Sequence, residues 1–525
     1  AALFAVNHTS NDGSIAIGES ALASKNLGSG AQFTGSTIAI GYQALTNQTS
    51  ATQNLAIGHQ SGYSHTTGGN NVSVGNTSLA LIGDGSQNTA IGHNAMTSSG
   101  TAADNDATDN VAVGYNALAA ITDGNNNVAI GSGAADSLTT GNKNIVIGKT
   151  AGGAMDTQGN CILIGWTAGQ LINDNEAANT IAIGGEALQA LTSGIGNVAV
   201  GSGALYYEDD GDFNTAIGHQ ALSTQAGTTG TVGNTALGYK AGKWLTTAIK
   251  STFIGCEAGE GIQATKLTGD FNIAIGYQAG KLLQGAAAEN TIMGANAGDA
   301  LTTGSWNTLL GYETGGTLTT GYGNVAIGRE AMKNAATGVL ENTIIGYTAG
   351  NNGSFAADKV VLIGSQAGQG AMTADADGTV AIGYQAGYAI TEGQYNTALG
   401  YAAGATITTG DKNTCIGYEA GGASTGIDTL SDNTFVGFRA GLKIDSGAGN
   451  TAIGSQAMES SASDSDASNN VAIGFNALYA CSDGDENVCV GAYAGDEITT
   501  HSQNTLLGYG AGHRVTANGN VLIGY

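Results

Sequence analysis

Clustered carboxylates offer the first chemistry in this chain. Asp104, Asp106 and Asp109 share one loop, Asp209, Asp210 and Asp212 follow Glu208 in another, and Asp483 to Glu486 contain a third group. Such spacings supply oxygen ligands for Ca²⁺, which takes about six to eight of them. None completes an EF-hand loop, so solvated acidic loops are the stronger expectation, and Ca²⁺ is the only cofactor considered. Gly422-Ala-Ser-Thr-Gly426 matches Gly-x-Ser-x-Gly, but it falls in a variable loop without a strand-to-helix elbow or a placed histidine. Gly242-Lys243 and Gly280-Lys281 lack the Ser or Thr of a phosphate loop and read as surface lysines. No enzyme is expected.

A repeat positions all of these residues. Taking the Gly after each short apolar run as position 0 gives 29 units from Gly18 to Gly524, and 16 of the 28 spacings are 17 residues, the rest running from 16 to 23. A short period that fills a chain builds a solenoid. We therefore expect an all-β parallel β-solenoid, or β-roll, of about 29 coils, forming a single elongated domain over 1–525. Residues 1–13 form an atypical leading segment, and the repeats occupy about 14–525. At ~4.8 Å per coil the rod would be roughly 130 Å long.

Position −4 is Asn in 22 of the 29 units. Asn tolerates a left-handed corner, and stacked amides pair with one another. Positions −3 to −1 read as a strand, such as Val111-Ala-Val113 or Ile145-Val-Ile147, with −1 always Ile, Leu, Val or Met. Position −2 is usually Ala but becomes Leu163, Phe253, Ile292, Leu309, Phe435 or Cys489. Neighbouring strand residues point to opposite faces, so both faces are dry. A coil has one interior; the other face, assigned to position −2, should pack on another copy of the chain. Position +3 is Ala in 25 of the 28 units that reach it, which signals close backbone approach. An apolar residue before Thr-Thr-Gly, as in Leu138 to Gly141 and Leu301 to Gly304, adds a second inward anchor, so two strands and two corners are expected per coil. Insertions fall between +4 and the next Asn, and the loops at Asp104–Asp109 and Asp464–Asn469 suggest a partial duplication.

Position +1 carries Tyr in 11 units, together with Trp166, Phe438, Phe475 and the histidines His59, His93 and His219. Those histidines lie in non-adjacent units and form no metal cluster. Tyr384, Tyr401, Tyr418 and Phe438 in successive coils form an aromatic stripe that could stack on sugar rings, although mutual stacking within the ladder is the stronger expectation.

Composition fits a solenoid. Gly is 87 of 525 residues and Pro is absent, as a continuous backbone ladder with left-handed corners requires. The net charge of −26 excludes nucleic acid as a partner, which needs a basic face. No apolar run is long enough to span a membrane, and none inserts within this segment. Cys415 and Cys489 repeat one unit position ~19 Å apart, too far to bridge. The chain starts without Met and stops just past a unit's glycine, so a segment of a longer protein is expected.

The Asn-x-Val-Ala-Ile-Gly phrase resembles the head repeats of trimeric autotransporter adhesins of the YadA type. Asn-Thr-Ala-Ile-Gly-Tyr-Gln-Ala is also similar to repeats of phage tail fibres and other surface-fibre proteins. The resemblance runs from about Ile15 to Tyr525, though the unit is longer than in those adhesin heads and no coiled-coil stalk, neck or membrane-anchor barrel is expected within these residues. It implies a left-handed β-roll, a homotrimer, and an extracellular place on a bacterial surface or virion. The expected function is a rigid fibre that displays loops for multivalent attachment to cell-surface glycan or protein. The chief alternative is a monomeric ice-binding solenoid that uses its Thr-Thr arrays; a glycan-degrading solenoid ranks third.

Overall fold

Each apolar triplet ahead of a marker glycine becomes a three-residue strand. In a computed structural model, which describes residues 13–23, 36–50, 52–101, 105–422, 429–460 and 465–525, these strands form an all-β parallel β-solenoid of about 28 turns. Residues 1–12 of the leading segment lie outside the described residues. The chain divides into two compact units, Ala1–Thr268 and Gly269–Tyr525. In the first, parallel pairing runs in strict register, with Val111 opposite Val128 and Val128 opposite Ile145. The second repeats it, with Thr291 opposite Thr308 and Thr308 opposite Val325.

Backbone bonds run from coil to coil. Val111 N–H donates to Asn127 O (2.8 Å) on the following coil, and Gly131 N–H donates back to Val113 O (2.8 Å). The marker glycines sit at the tightest approach. A Cβ on Gly131, whose φ is +136°, would lie 2.5 Å from Gly148 O. No other residue fits there.

The coil differs from expectation in three ways. Each coil has one regular strand, and most of the remainder is turn, because the residues at +2 and +4 adopt left-handed φ, as at Asn116 (54°) and Leu118 (49°). Among the described residues, extended pairing outside that strand survives only as short pieces, such as Gly211–Asp212 with Gly230–Thr231. Secondly, the left-handed corner ahead of the strand falls one residue before the asparagine, at Asn126 (61°), and Asn127 turns inward. Its Oδ1 accepts from both the backbone N–H and the side-chain amide of Asn144 (3.0 Å each), while its own amide donates to Gly141 O (2.8 Å). The column is a ladder of buried, fully engaged amides.

The third difference inverts the two faces of the strand. Position −2 is inside the coil, with Ala112, Leu163, Phe253 and Phe435 all fully buried within their own chain. Positions −3 and −1 face outwards. A strand of three in a thin coil has one inward residue, and the middle one takes it. Ala117 and Ala134 at +3 are buried, as are the second anchors Leu138, Leu301, Leu318 and Ile407. Each fully buried Leu contributes about 1.5–3 kcal/mol.

Candidate functional site

The outward columns are the most distinctive surface. Ile91 and Leu237 at −1 are exposed at 40% and 46% in the first unit, and Met293 and Leu399 at 41% and 42% in the second. Position +1 adds rings beside them. Strand alternation places −3, −1 and +1 on one side, giving adjoining β-branched, aliphatic and aromatic columns on each unit.

The structure brings the expected stripe together. Tyr384 and Tyr401 stack at 5.1 Å between centroids, Tyr401 and Tyr418 at 5.0 Å, and Tyr418 and Phe438 at 5.3 Å, with interplanar angles of 23°, 8° and 14°. Consecutive rings cover each other's faces, so edges and hydroxyls meet solvent while the faces that would stack on sugar are occupied. The +1 histidines join the same pattern: His59 stacks with Tyr42, His93 with Tyr115 and His219 with Tyr239.

The acidic residues are distributed differently. Asp104 lies outside the described residues, as do Ala423–Gly426 of the Gly-x-Ser-x-Gly match and Asp464. Asp106 is exposed and Asp109 takes the left-handed corner of its coil at φ 59°. Asp209 Oδ1 accepts the N–H groups of Asp210 (3.1 Å) and Gly227 (3.0 Å). Asp210 Oδ1 accepts the hydroxyls of Thr192 and Ser193, both at 2.8 Å, and Asp212 Oδ1 accepts Ile195 N–H at 2.9 Å. Asp411 and Asp485 repeat the role of Asp212, accepting Gln394 N–H (2.9 Å) and Ser468 N–H (2.8 Å) of the preceding coil. These carboxylates hold coil to coil. Among the described residues no group of three or more His, Cys, Asp or Glu is placed to hold a metal ion.

Sequence reading missed the polar residues inside the core. His65, Glu208 and Gln225 are fully buried where most coils carry Leu, Ile or Met. Their signal was available, since all three stand at +7, the column of Leu138 and Leu301. His65 bonds Ile82 O through Nδ1 (3.1 Å), and burial holds its pKa below the ordinary range. The five cysteines are thiols; Cys481 and Cys489 are pushed up to about 12 by burial, which leaves them unreactive.

The leading threonines of the Thr-Thr pairs also point to the backbone: Thr302 Oγ1 donates to Thr319 O (2.9 Å) and Thr139 Oγ1 to Asp156 O (3.2 Å). In most pairs only the second Thr, such as Thr303 and Thr320, is left exposed; at Thr499 and Thr500 both are. Among the described residues no helix is long and apolar enough to cross a membrane. No family model matches the chain, and the search of curated proteins gives no match either.

Proposed function

We propose that the chain is a structural and adhesive segment of an extracellular fibre, a left-handed homotrimer on a bacterial surface or virion that presents loops for multivalent attachment to cell-surface glycan or protein. The observation that supports this reading is the outward apolar face. Ile57, Ile91, Ile217 and Leu237 in the first unit, and Met293, Leu399, Ile453 and Ile473 in the second, expose β-sheet side chains in continuous columns rather than singly. Contiguous apolar surface of this kind marks an interaction site. Identical columns on identical chains are self-complementary, and the resemblance to trimeric adhesin heads supplies the number three.

The aromatic stripe fits the same role, because stacked rings lengthen the apolar face without adding a reactive group. The net charge of −26 keeps the rest of the surface soluble and repels nucleic acid. Light scattering on the purified chain tests the assembly. A mass near three times 51.8 kDa is expected, and paired Ile217→Lys and Leu237→Lys substitutions should lower it. A 51.8 kDa species in the unsubstituted protein would sink the trimer.

A further inference from the structure

At one place aromatic bulk stands on both sides of a coil of small residues. Positions +5 and +6 are small or polar in most coils, but after Gly201 they are Tyr206 and Tyr207, and after Gly238 they are Lys243 and Trp244. The coil between carries Ser223 and Thr224 there, both buried. Two aromatic walls flank a low floor. The resulting groove has a volume of about 590 Å³, inside the ~300–1,000 Å³ usual for small-ligand sites.

Its walls are fixed by the inter-coil ladder. Tyr207 N–H donates to Ser223 O (3.2 Å), Trp244 N–H to Glu260 O (2.8 Å), and Leu267 N–H to Trp244 O (3.0 Å). Thr224 Oγ1 turns into the wall, donating to Lys243 O (2.7 Å) and Leu245 O (2.9 Å). The Tyr206 and Tyr207 rings meet edge to face at 4.5 Å, so one ring presents a face where the other presents an edge. Unlike the stripe, these rings are not sealed by neighbours stacked face on face.

The charge in the groove runs against the chain as a whole. Of only 15 basic residues, Lys243 and Lys266 line it, with Glu186 as the carboxylate of the lining. Nearby Lys240 engages Glu260 at 3.5 Å, whereas among the described residues neither Lys243 nor Lys266 forms an ion pair. Lys243 Nζ instead lies 4.6 Å from the centre of the Trp244 ring. Burial, and then Lys240, lower its pKa, with Glu260 opposing them only in part, so a carboxylate arriving from outside would favour the charged form.

We propose that the groove between Tyr206, Tyr207 and Trp244 binds a saccharide that carries a carboxylate. A pyranose has an apolar C–H face, suited to an aromatic wall, and a rim of hydroxyls, suited to Gln220 and Gln263. Lys243 and Lys266 take the carboxylate. A nucleotide shares the aromatic requirement, but its phosphate carries about −1.5 to −2 against the single charge of a carboxylate, and a chain of −26 disfavours the larger charge more. The proposal deepens the adhesive reading above and rests on it only for the biological use of the site.

Calorimetric titration of the full chain with 3′-sialyllactose, lactose and adenosine monophosphate tests it. Sialyllactose should bind saturably and lactose more weakly. Trp244→Ala or Lys243→Gln should weaken sialyllactose binding about tenfold. Trp306→Ala, in the other unit, should leave it unchanged. Lys266→Gln removes only an exposed charge and carries the same test if Trp244→Ala fails to fold. Equal affinity for lactose, preference for the nucleotide, absence of sialyllactose binding, or unchanged binding in both Lys266→Gln and a folded Trp244→Ala would each overturn the site. Loss of the site with a trimeric mass and cell attachment retained would leave the fibre reading standing.

Discussion

A Cβ on Gly259 would lie 2.1 Å from Cδ1 of Phe253, six residues earlier on the same coil. The phenylalanine ring fills the space that a side chain at position +4 would take. Wherever −2 is larger than Ala or Ser, +4 is Gly, as in Leu163 with Gly169, Ile292 with Gly298 and Phe435 with Gly441. Where +4 is Leu or Met, −2 is Ala or Ser, as in Ala112 with Leu118 and Ser73 with Leu79. The two positions share one core slot, occupied by at most one of them; where both are small, as at Ala236 and Gly242, Leu222 and Phe253 of the adjoining coils reach the space, as interiors packed to crystal density require.

Phe253→Ala should therefore empty the slot and cost about 3–5 kcal/mol. Gly259→Leu alone should also destabilise, by overpacking against the ring. Together they should recreate the Ala112 and Leu118 pairing, since Gly259 (φ 54°) already holds nearly the backbone of Leu118 (49°). Urea unfolding of the two single variants and the double should give a favourable coupling of about 1–3 kcal/mol. Additive losses would show that the two positions do not share a slot.

Asn127→Ala tests the amide ladder. It leaves the backbone N–H of Asn144 and the carbonyl of Gly141 without their partners, and the Asn144 side-chain amide with only its bond to Gln158 O (2.8 Å). Buried groups left unpaired cost about 1–3 kcal/mol each. Hydrogen exchange should quicken at Asn144 and along Val128–Ile130, while strands several coils away keep their protection, because coils of a solenoid interact mainly with neighbours. Unchanged exchange at Asn144 would remove the ladder's energetic role.

The period was legible because glycine and asparagine recur at fixed positions for backbone reasons. Orientation was harder to read. Apolar residues at −3, −2 and −1 are all compatible with either face, and only the coil's narrow interior decides that Ala112 enters while Val111 and Val113 stay out. The corner at −5 was hidden by its tolerance: Phe213 (59°) and Trp306 (59°) adopt left-handed φ there as readily as Asn126, although glycines at 196, 323 and 378 carried the signal. Paired carboxylates at Asp210 and Asp212 looked like ion ligands because sequence does not show which hydroxyl or N–H of the adjacent coil they meet.

Two glycine substitutions should separate close approach from composition. At Gly131 an added methyl meets Gly148 O at 2.5 Å and the carbonyl carbon at 2.7 Å, with φ +136° besides. At Gly185 nothing lies within 4 Å. Thermal unfolding should show Gly131→Ala strongly destabilised, by more than about 1–3 kcal/mol for the strained φ alone, and Gly185→Ala close to the parent. Equal midpoints for the two variants would refute the close-approach account of the marker glycine.

The buried carboxyl of Glu208 makes stability depend on pH in a direction that can be tested. Its Oε1 accepts N–H groups from Gly211 (2.7 Å) and Asp209 (3.1 Å), and its Oε2 accepts the Gln225 amide, whose own oxygen accepts Asn234 Nδ2 (3.0 Å). Burial is the largest influence and raises its pKa above the ordinary 4.5; the hydrogen bonds from Gly211 and Gln225 offset only part of this. A carboxyl whose folded pKa is raised stabilises fully below the unfolded pKa and loses that contribution as pH rises through the folded value. Gln225→Leu strips a donor from the buried acid and should cost about 1–3 kcal/mol. Glu208→Leu with Gln225→Leu restores the apolar column of Leu191 and Leu245, and should be neutral or stabilising at pH 7. The difference between parent and double variant isolates this pair from the other carboxylates. Unfolding measured from pH 4 to 7 should show the parent falling relative to the double as pH rises from about 4.5. A constant difference across that range would mean that Glu208 keeps the same proton affinity folded and unfolded, and that its hydrogen-bond donors fully compensate its burial.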